Sequence, residues 1–438
     1  MELEPWHTRG PVTTPRVRRL AAFLSPAVAV ATMAAAVGLG LGLPHWEDSL
    51  PQVGLTYDPG TATTTLAAIA GGMITLSGFV ITAVTLVIQT VQNMSPRLIG
   101  VIGHFRRSLA VVGLVTGTAV YALVVLAQIR PDETPSLSVT VAVALVVVDT
   151  AVLLQSLTGL RHLVTGGGLA RAVGELMAGS IDAALPPDGT AVASGAADGW
   201  ASGSGVPLVH TGRPGTVRSI DERRLLRIAT GRDARVSLTV GPGDHVGEGT
   251  VLGYVHGPTA SHGPRPVPLR RLASCVRVDR VRSIGQDPAY GLRLLADIAI
   301  RALSPAVNDP TTAVQALDQI EETLVRLVTR PLGVTLVTDA DGTPRLRRSA
   351  PGWPELVSLA LDEILDYGSA SLQVVRRVRV LLDTIAAVAP DHRRAPLAER
   401  LALMSRLART FRDPLLVAVA EGADRQGLGG VGAPSNPR

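Results

Sequence analysis

The sequence predicts an integral membrane protein, with a four-helix transmembrane domain followed by a cytoplasmic α+β domain made of a small β-rich, barrel-sandwich-like module and a helical bundle. Three observations predict it. Hydrophobic residues make up 46% of the 438 positions, and before residue 160 they gather into four runs long enough to span a bilayer, which takes roughly 20 residues. Charge differs between the loops that join those runs. Beyond them the apolar period shortens to β-like alternation and then lengthens to helical spacing.

After a tail over 1–19, the membrane domain occupies 20–157, with spans near 20–42, 62–92, 108–129 and 136–157. Arginines precede the first run as in a signal peptide, but the run is too long for one and three more spans follow, so a retained helix is expected. Short-loop arginines set orientation. Arg9, Arg16, Arg18 and Arg19 precede the first span, Arg97, Arg106 and Arg107 follow the second, and Arg161 and Arg171 follow the fourth. The intervening loops carry Glu47, Asp48 and Asp58 without arginine, or balance Arg130 with Asp132 and Glu133. Both termini are therefore expected in the cytoplasm, in a multi-pass protein of the inner membrane.

All 41 basic residues are arginine, which reads as coding bias, and the net charge is only +5. No basic stripe with interleaved aromatics appears, so nucleic acid is not an expected partner and the lipid bilayer is. The single Cys275 excludes an intramolecular disulfide framework and a Cys-rich zinc site.

The second span, "GFVITAVTLVIQTVQNMSPRL", carries polar side chains where lipid favours leucine. At 100° per residue, Gly71, Thr75, Gly78, Thr82, Thr85, Gln89, Gln92 and Asn93 fall within about 100° of one another, while Phe79, Val80, Val84, Val87 and Val91 lie outside that arc. Such a seam serves close helix packing and interhelical hydrogen bonds, within one copy or in a homo-oligomer. Lining a water-filled path between symmetry copies is the alternative. Asp149, inside "VALVVVDTAVLLQ", is the other candidate, because a charge inserted there costs on the order of 3 kcal/mol. It is read either as a protonated or hydrogen-bonded structural group or as part of an ion path. Gly113 and Gly117 of the third span make a GxxxG packing pair.

A helix to about 180 and a flexible Gly/Ala/Ser/Pro-rich linker fill 158–205. The β-rich module, 206–282, holds "GTVRSI", "RVSLTV" and "TVLGYV" around "GPGDHVGEG". Its glycines precede strand-like residues and no lysine follows, so tight turns are expected instead of a phosphate loop. The pattern looks like half of a biotinyl/lipoyl-type module that cannot carry its group without lysine. His245, His256 and His262 match no metal-ligand spacing, and neither a metal nor a cofactor is expected.

The mainly helical domain, 283–422, opens with Asp287–Pro288 and Asp309–Pro310, which cap helices near 288–303 and 310–330 by the same device. Between them Arg301, Ser304, Asn308, Asp309, Thr311 and Thr312 cluster, with Asp297 and Arg301 as an i,i+4 pair. The group, with Asp287, reads as helix caps; a pocket for a small-molecule or anionic ligand at the exposed N–H groups is the alternative. A hairpin near 333–348 turns at Asp341–Gly342, helices follow near 353–367, 369–389, 393–411 and 413–421, and a disordered tail is expected over 423–438.

The stretches "SGFVITAVTLVIQTVQNMSPRL", "GTVRSID", "PGDHVGEGTVL" and "QDPAYGLRLLADIAIRALSPAVNDPTTA" together resemble a family of predicted bacterial membrane proteins described as domain of unknown function 2254. The resemblance covers about residues 15–420 and implies an inner-membrane protein with a cytoplasmic domain; it brings no reaction, substrate or catalytic residue. A non-enzymatic sensor or scaffold is the expected function. An oligomeric channel or transporter lined by the second helix is the alternative. A tethered enzyme is a remote one, since no GxSxG elbow, HExxH pair, P-loop or Cys–His arrangement occurs.

Overall fold

A computed structural model of the chain describes residues 15–47, 56–94, 105–130, 134–164, 166–185, 191–192, 200, 205–257, 267–425 and 427. Two compact units divide it, one built on Met1–Thr90 and Ile102–His162, the other on Val91–Val101 and Leu163–Arg438.

The first unit is built from α1 (Pro15–Glu47), α2 (Pro59–Met94), α3 (Phe105–Leu126) and α4 (Ser136–Val164), of which the last residues of α2 and α4 fall in the second. Each includes a segment long and apolar enough to span a membrane: Ala27–Glu47, Pro59–Gln92, Leu109–Leu126 and Ser136–Ser156. The core alternates small and large side chains: Ala62, Leu66 and Ala70 of α2 meet Tyr121, Ala122 and Val125 of α3 and Val139 and Ala142 of α4. α1 lies against α3 so closely that a Cβ on Gly113 would stand 2.6 Å from the Ala29 Cα, and one on Gly117 3.5 Å from the Thr32 carbonyl oxygen. The GxxxG pair thus lets two backbones approach where lipid provides no hydrophobic drive.

Two acids of the arginine-free loop cap helices. Asp58 accepts from the Thr61 backbone N–H (2.9 Å) and hydroxyl (2.6 Å) at the start of α2. Glu47 accepts from the backbone N–H of Leu137 and from the N–H and hydroxyl of Ser138 (both 3.1 Å), opening α4. Orphan N–H groups at a helix start favour negative charge, so these carboxylates stabilise the ends they occupy.

The second unit begins with α5 (Gly166–Ala184). Then come β1 (Ala191–Val192), β2 (Val206–Val209), β3 (Gly215–Ile220), α6 (Glu222–Thr230), β4 (Arg235–Leu238), β5 (His245–Val246), β6 (Val251–His256), α7 (Leu269–Ala273) and β7 (Val276–Asp279). α8 (Pro288–Leu303), α9 (Pro310–Leu327), the hairpin β8 (Val334–Thr338) and β9 (Pro344–Ser349), α10 (Trp353–Gly368), α11 (Leu372–Val388), α12 (Ala395–Ala408) and α13 (Pro414–Glu421) complete it.

The strands form a six-stranded mixed sheet, ordered β1-β8-β9-β4-β6-β2, and a three-stranded sheet, β5-β3-β7. Leu208, Val236, Leu238 and Leu252 from one, Val217, Val246 and Val276 from the other, and Leu225 of α6 share one core. The β-rich module is built on these two sheets, and the hairpin belongs to it: β9 pairs in parallel with β4, Val236 opposite Leu346. A boundary at 282 therefore cuts across one sheet. The expected tail also docks in part. Buried Arg376 donates from Nε to the Gly422 carbonyl (3.0 Å), Asp424 is buried, and the Gly427 N–H bonds Asp424 (3.0 Å).

Candidate functional site

The membrane unit separates the candidates that the sequence grouped. On α2, Leu66, Met73, Ser77 and Val80 are buried, whereas Gly71, Thr75, Gly78, Thr82, Thr85, Gln89 and Gln92 are exposed. At 100° per residue the seam lies on the opposite side of the helix from the buried stripe. The side chain of Asn93 lies outside the described residues. The hydroxyls of Thr75, Thr82 and Thr85 donate to the carbonyls of Gly71 (2.9 Å), Gly78 (2.9 Å) and Ile81 (2.8 Å), four residues back. Each is satisfied within its own helix, which lets threonine face lipid at low cost. A Cβ built on Gly71 or Gly78 would meet nothing within 4 Å. Among the described residues of one copy the seam therefore packs against no other helix; a hydroxyl link from α2 to α3, Ser77 to Thr116 (3.1 Å), lies on the buried side.

Asp149 of α4 is fully buried, and among the described residues neither carboxylate oxygen has a hydrogen-bond partner. Val146, Val152 and Leu153 around it on α4 pack with Met73 and Val80 of α2 and Val115 and Ala119 of α3. Buried Thr118 of α3 stands beside the carboxylate without reaching either oxygen in good hydrogen-bond geometry. Asp149 thus sits inside the unit while the α2 seam faces out, and a path using both is not formed within one copy.

In the second unit, the motifs that stood out as sequence meet at the start of α8. Asp287 caps the helix through the Tyr290 N–H (2.9 Å) and takes Arg282 Nε on its other oxygen (2.6 Å). Arg282 also lies over the Tyr290 ring, 5.1 Å from its centroid. Gly241–Asp244 is a tight turn, closed from the Asp244 N–H to the Gly241 carbonyl (3.2 Å), with Pro242 second and Gly243 third at φ +98°. That is the residue order a type II turn demands. A Cβ on Gly243 would meet the Arg282 guanidinium and stand 2.5 Å from Asp287 Oδ2, so the glycine turn abuts the ion pair. Gln286 joins "GTVRSI" by bonding both the N–H (2.8 Å) and carbonyl (3.3 Å) of Ile220. Burial pushes the Asp287 carboxyl above the usual carboxylate range, opposed by Arg282. Beside it opens a cleft of about 550 Å³ lined by Arg282, Ala289, Tyr290, Arg293 and Leu359. Arg293 is itself held by Asp297 (2.7 Å) and Glu363. Each guanidinium already has a carboxylate, so an anion entering here competes with internal acids.

The remaining candidates lie at the far end of α8. Fourteen residues at about 1.5 Å each put Arg301 roughly 21 Å from Asp287, so the structure does not bring these two groups together. Asp309 accepts from the Thr312 N–H (3.1 Å) and hydroxyl (2.5 Å), Asn308 takes φ +46°, and Ser304 donates to the Arg301 carbonyl (2.8 Å). Arg301, Asn308 and Thr311 are exposed. These are turn and cap contacts, and the carboxylate of Asp309 occupies the N–H groups an anion would need. The expected i,i+4 pair shifts as well: Asp297 takes Arg293, four residues before it. The sequence does not reveal this group because Gly243 lies 39 positions before Arg282, and nothing in the local pattern says that the turn folds back onto the start of α8; the GPGD order is the one readable signal. His262 lies outside the described residues, and among those described no group of three His, Cys, Asp or Glu is placed to hold a metal ion.

Comparison with known proteins agrees with this architecture. An uncharacterized protein of Mycobacterium bovis and one of Mycobacterium tuberculosis are each 27% identical to this chain over 407 residues, spanning 90% of it and 78% of the relative. No solved structure matches the chain. A family model described as "Predicted membrane protein (DUF2254)" matches residues 19–384, a range that takes in all four apolar helices, both sheets and α8 to α10, and the chain therefore belongs to that family.

Proposed function

We propose that this is a non-enzymatic sensor or scaffold of the inner membrane: copies associate through the outward face of α2, and the second unit, on the cytoplasmic side with both termini, binds a partner or ligand. One observation carries the proposal. The seam of Gly71, Thr75, Gly78, Thr82 and Thr85 is exposed on the side of α2 that, among the described residues, no other helix of the same copy covers. Small residues let a second backbone approach closely. Gln89, exposed on the same face, carries an amide with two donors and an acceptor that a partner helix satisfies better than lipid does. The arginine distribution supports the orientation.

Cross-linking tests the assembly. With Cys275 replaced by serine, Gly78→Cys should give a disulfide-linked dimer in membranes, while Val80→Cys on the buried stripe should not. A monomeric mass in mild detergent together with no Gly78→Cys cross-link refutes the proposal. Ion flux from vesicles that Thr82→Leu abolishes would favour the channel reading of the same seam.

A further inference from the structure

We propose that Asp149 is a proton-binding site, a carboxyl held as the neutral acid between α2, α3 and α4. The apolar spans bring no compensating charge to it. Between Pro59 and Met94 α2 contains no ionisable side chain, α1 contains none from Leu20 to Pro44, and from Leu109 to Leu126 α3 offers only Tyr121. That phenol is committed to the Ser138 carbonyl (3.0 Å). On α4 itself Asp149 is the sole ionisable group between Ser136 and Ser156.

Depth removes water as the alternative partner. Asp149 lies thirteen residues after Ser136 and seven before Ser156, or about 20 Å and 10 Å along the helix at 1.5 Å per residue. That places it inside a hydrocarbon layer of roughly 30 Å. A lone carboxylate there faces a desolvation cost far above that of holding a proton, and buried groups without a counter-charge neutralise instead. A metal cation does not fit the same space. Hard cations gather about six to eight oxygens, and among the described residues no group of three His, Cys, Asp or Glu is placed to hold a metal ion.

Proton occupancy and helix packing are therefore linked. The closed arrangement of Val146, Leu153, Met73, Val80 and Val115 holds the acid form, and the anion requires these helices to part and admit water or a counter-ion. Occupancy is complete at low pH; once the pH is high enough to remove the proton, the closed packing loses stability.

Infrared difference spectroscopy of the full-length protein in lipid vesicles, wild type against Asp149→Asn at neutral pH, reads the site directly. The expected result is the carbonyl stretch of an un-ionised carboxylic acid in the wild type, shifted in deuterated buffer and absent from Asp149→Asn. A carboxylate stretch in its place overturns the proposal. Thermal midpoints over pH supply the second arm: wild type should lose stability on alkalinisation relative to Asp149→Asn. Parallel profiles for the two proteins overturn the linkage, and a dicyclohexylcarbodiimide adduct on the Asp149 peptide at neutral pH supports the acid form independently.

Discussion

Replacing Gly243 with alanine tests how the second unit is held at the start of α8. Two costs add. At φ +98° an L-residue occupies the left-handed side of backbone space, which costs about 1–2 kcal/mol. The new methyl also collides with the Arg282 guanidinium and Asp287 Oδ2, so the pair must separate. Breaking a wholly buried ion pair costs about 3–5 kcal/mol and an exposed one about 0–1. With Asp287 3% exposed and Arg282 41% exposed, we take roughly 1–2 kcal/mol between those limits. The sum, about 2–4 kcal/mol, corresponds to a fall in thermal midpoint of roughly 3–8 °C for a unit this large. Thermal unfolding of the purified full-length protein measures it, with Arg282→Ala and the double variant closing a mutant cycle. If Gly243→Ala shifts the midpoint by less than about 2 °C, or if its effect simply adds to that of Arg282→Ala, the turn does not support the pair and the reasoning fails.

Other outcomes follow from contacts already described. Gly113→Leu should lower stability in detergent by about 1–3 kcal/mol, the usual cost of overpacking, while Gly38→Leu, where a Cβ meets nothing within 4 Å, should be neutral. Acid unfolding should follow Asp362 and Glu363. Burial works against Asp362, yet Arg400 holds it through both oxygens (2.8 and 3.0 Å) and its carboxyl stays below the usual range; Arg293 lowers Glu363. Their contribution is complete above the unfolded carboxylate values near 4 and is lost as pH falls through the depressed ones, so Arg400→Ala should flatten the acid limb of a stability profile. Truncation after Gly422 should cost about 1–3 kcal/mol by leaving buried Arg376 without part of its hydrogen bonding, read as a lower midpoint.

How much of this was legible depended on range along the chain. The four apolar helices, the Asp–Pro starts of α8 and α9 and the hairpin turn rest on neighbours within a few residues, where periodicity and cap chemistry suffice. The α2 seam was visible as an arc, but a helical wheel does not say which arc faces the neighbours. Only packing of Leu66, Met73 and Val80 turns it outward. Asp287 and Arg301 were grouped because both flank one helix, whose length then separates them. The Arg282–Asp287–Gly243 contact and the pairing of β4 with β9 join residues tens of positions apart, which no local pattern encodes. Docking of Asp424 likewise depends on a buried arginine in another helix, so a Gly-rich ending read as featureless was shortened by tertiary contact.

The parallel union of β4 and β9 carries an implication for biosynthesis. A ribosome that has finished β4 must translate past residue 344 before the strand's second neighbour exists. Until then one side of β4 offers bare amides and carbonyls to any passing chain, the situation in which intermolecular strand pairing competes with maturation. Closure of so distant a contact is also entropically slow. Chains halted between residues 260 and 340 are accordingly expected to aggregate more readily than those released after 350.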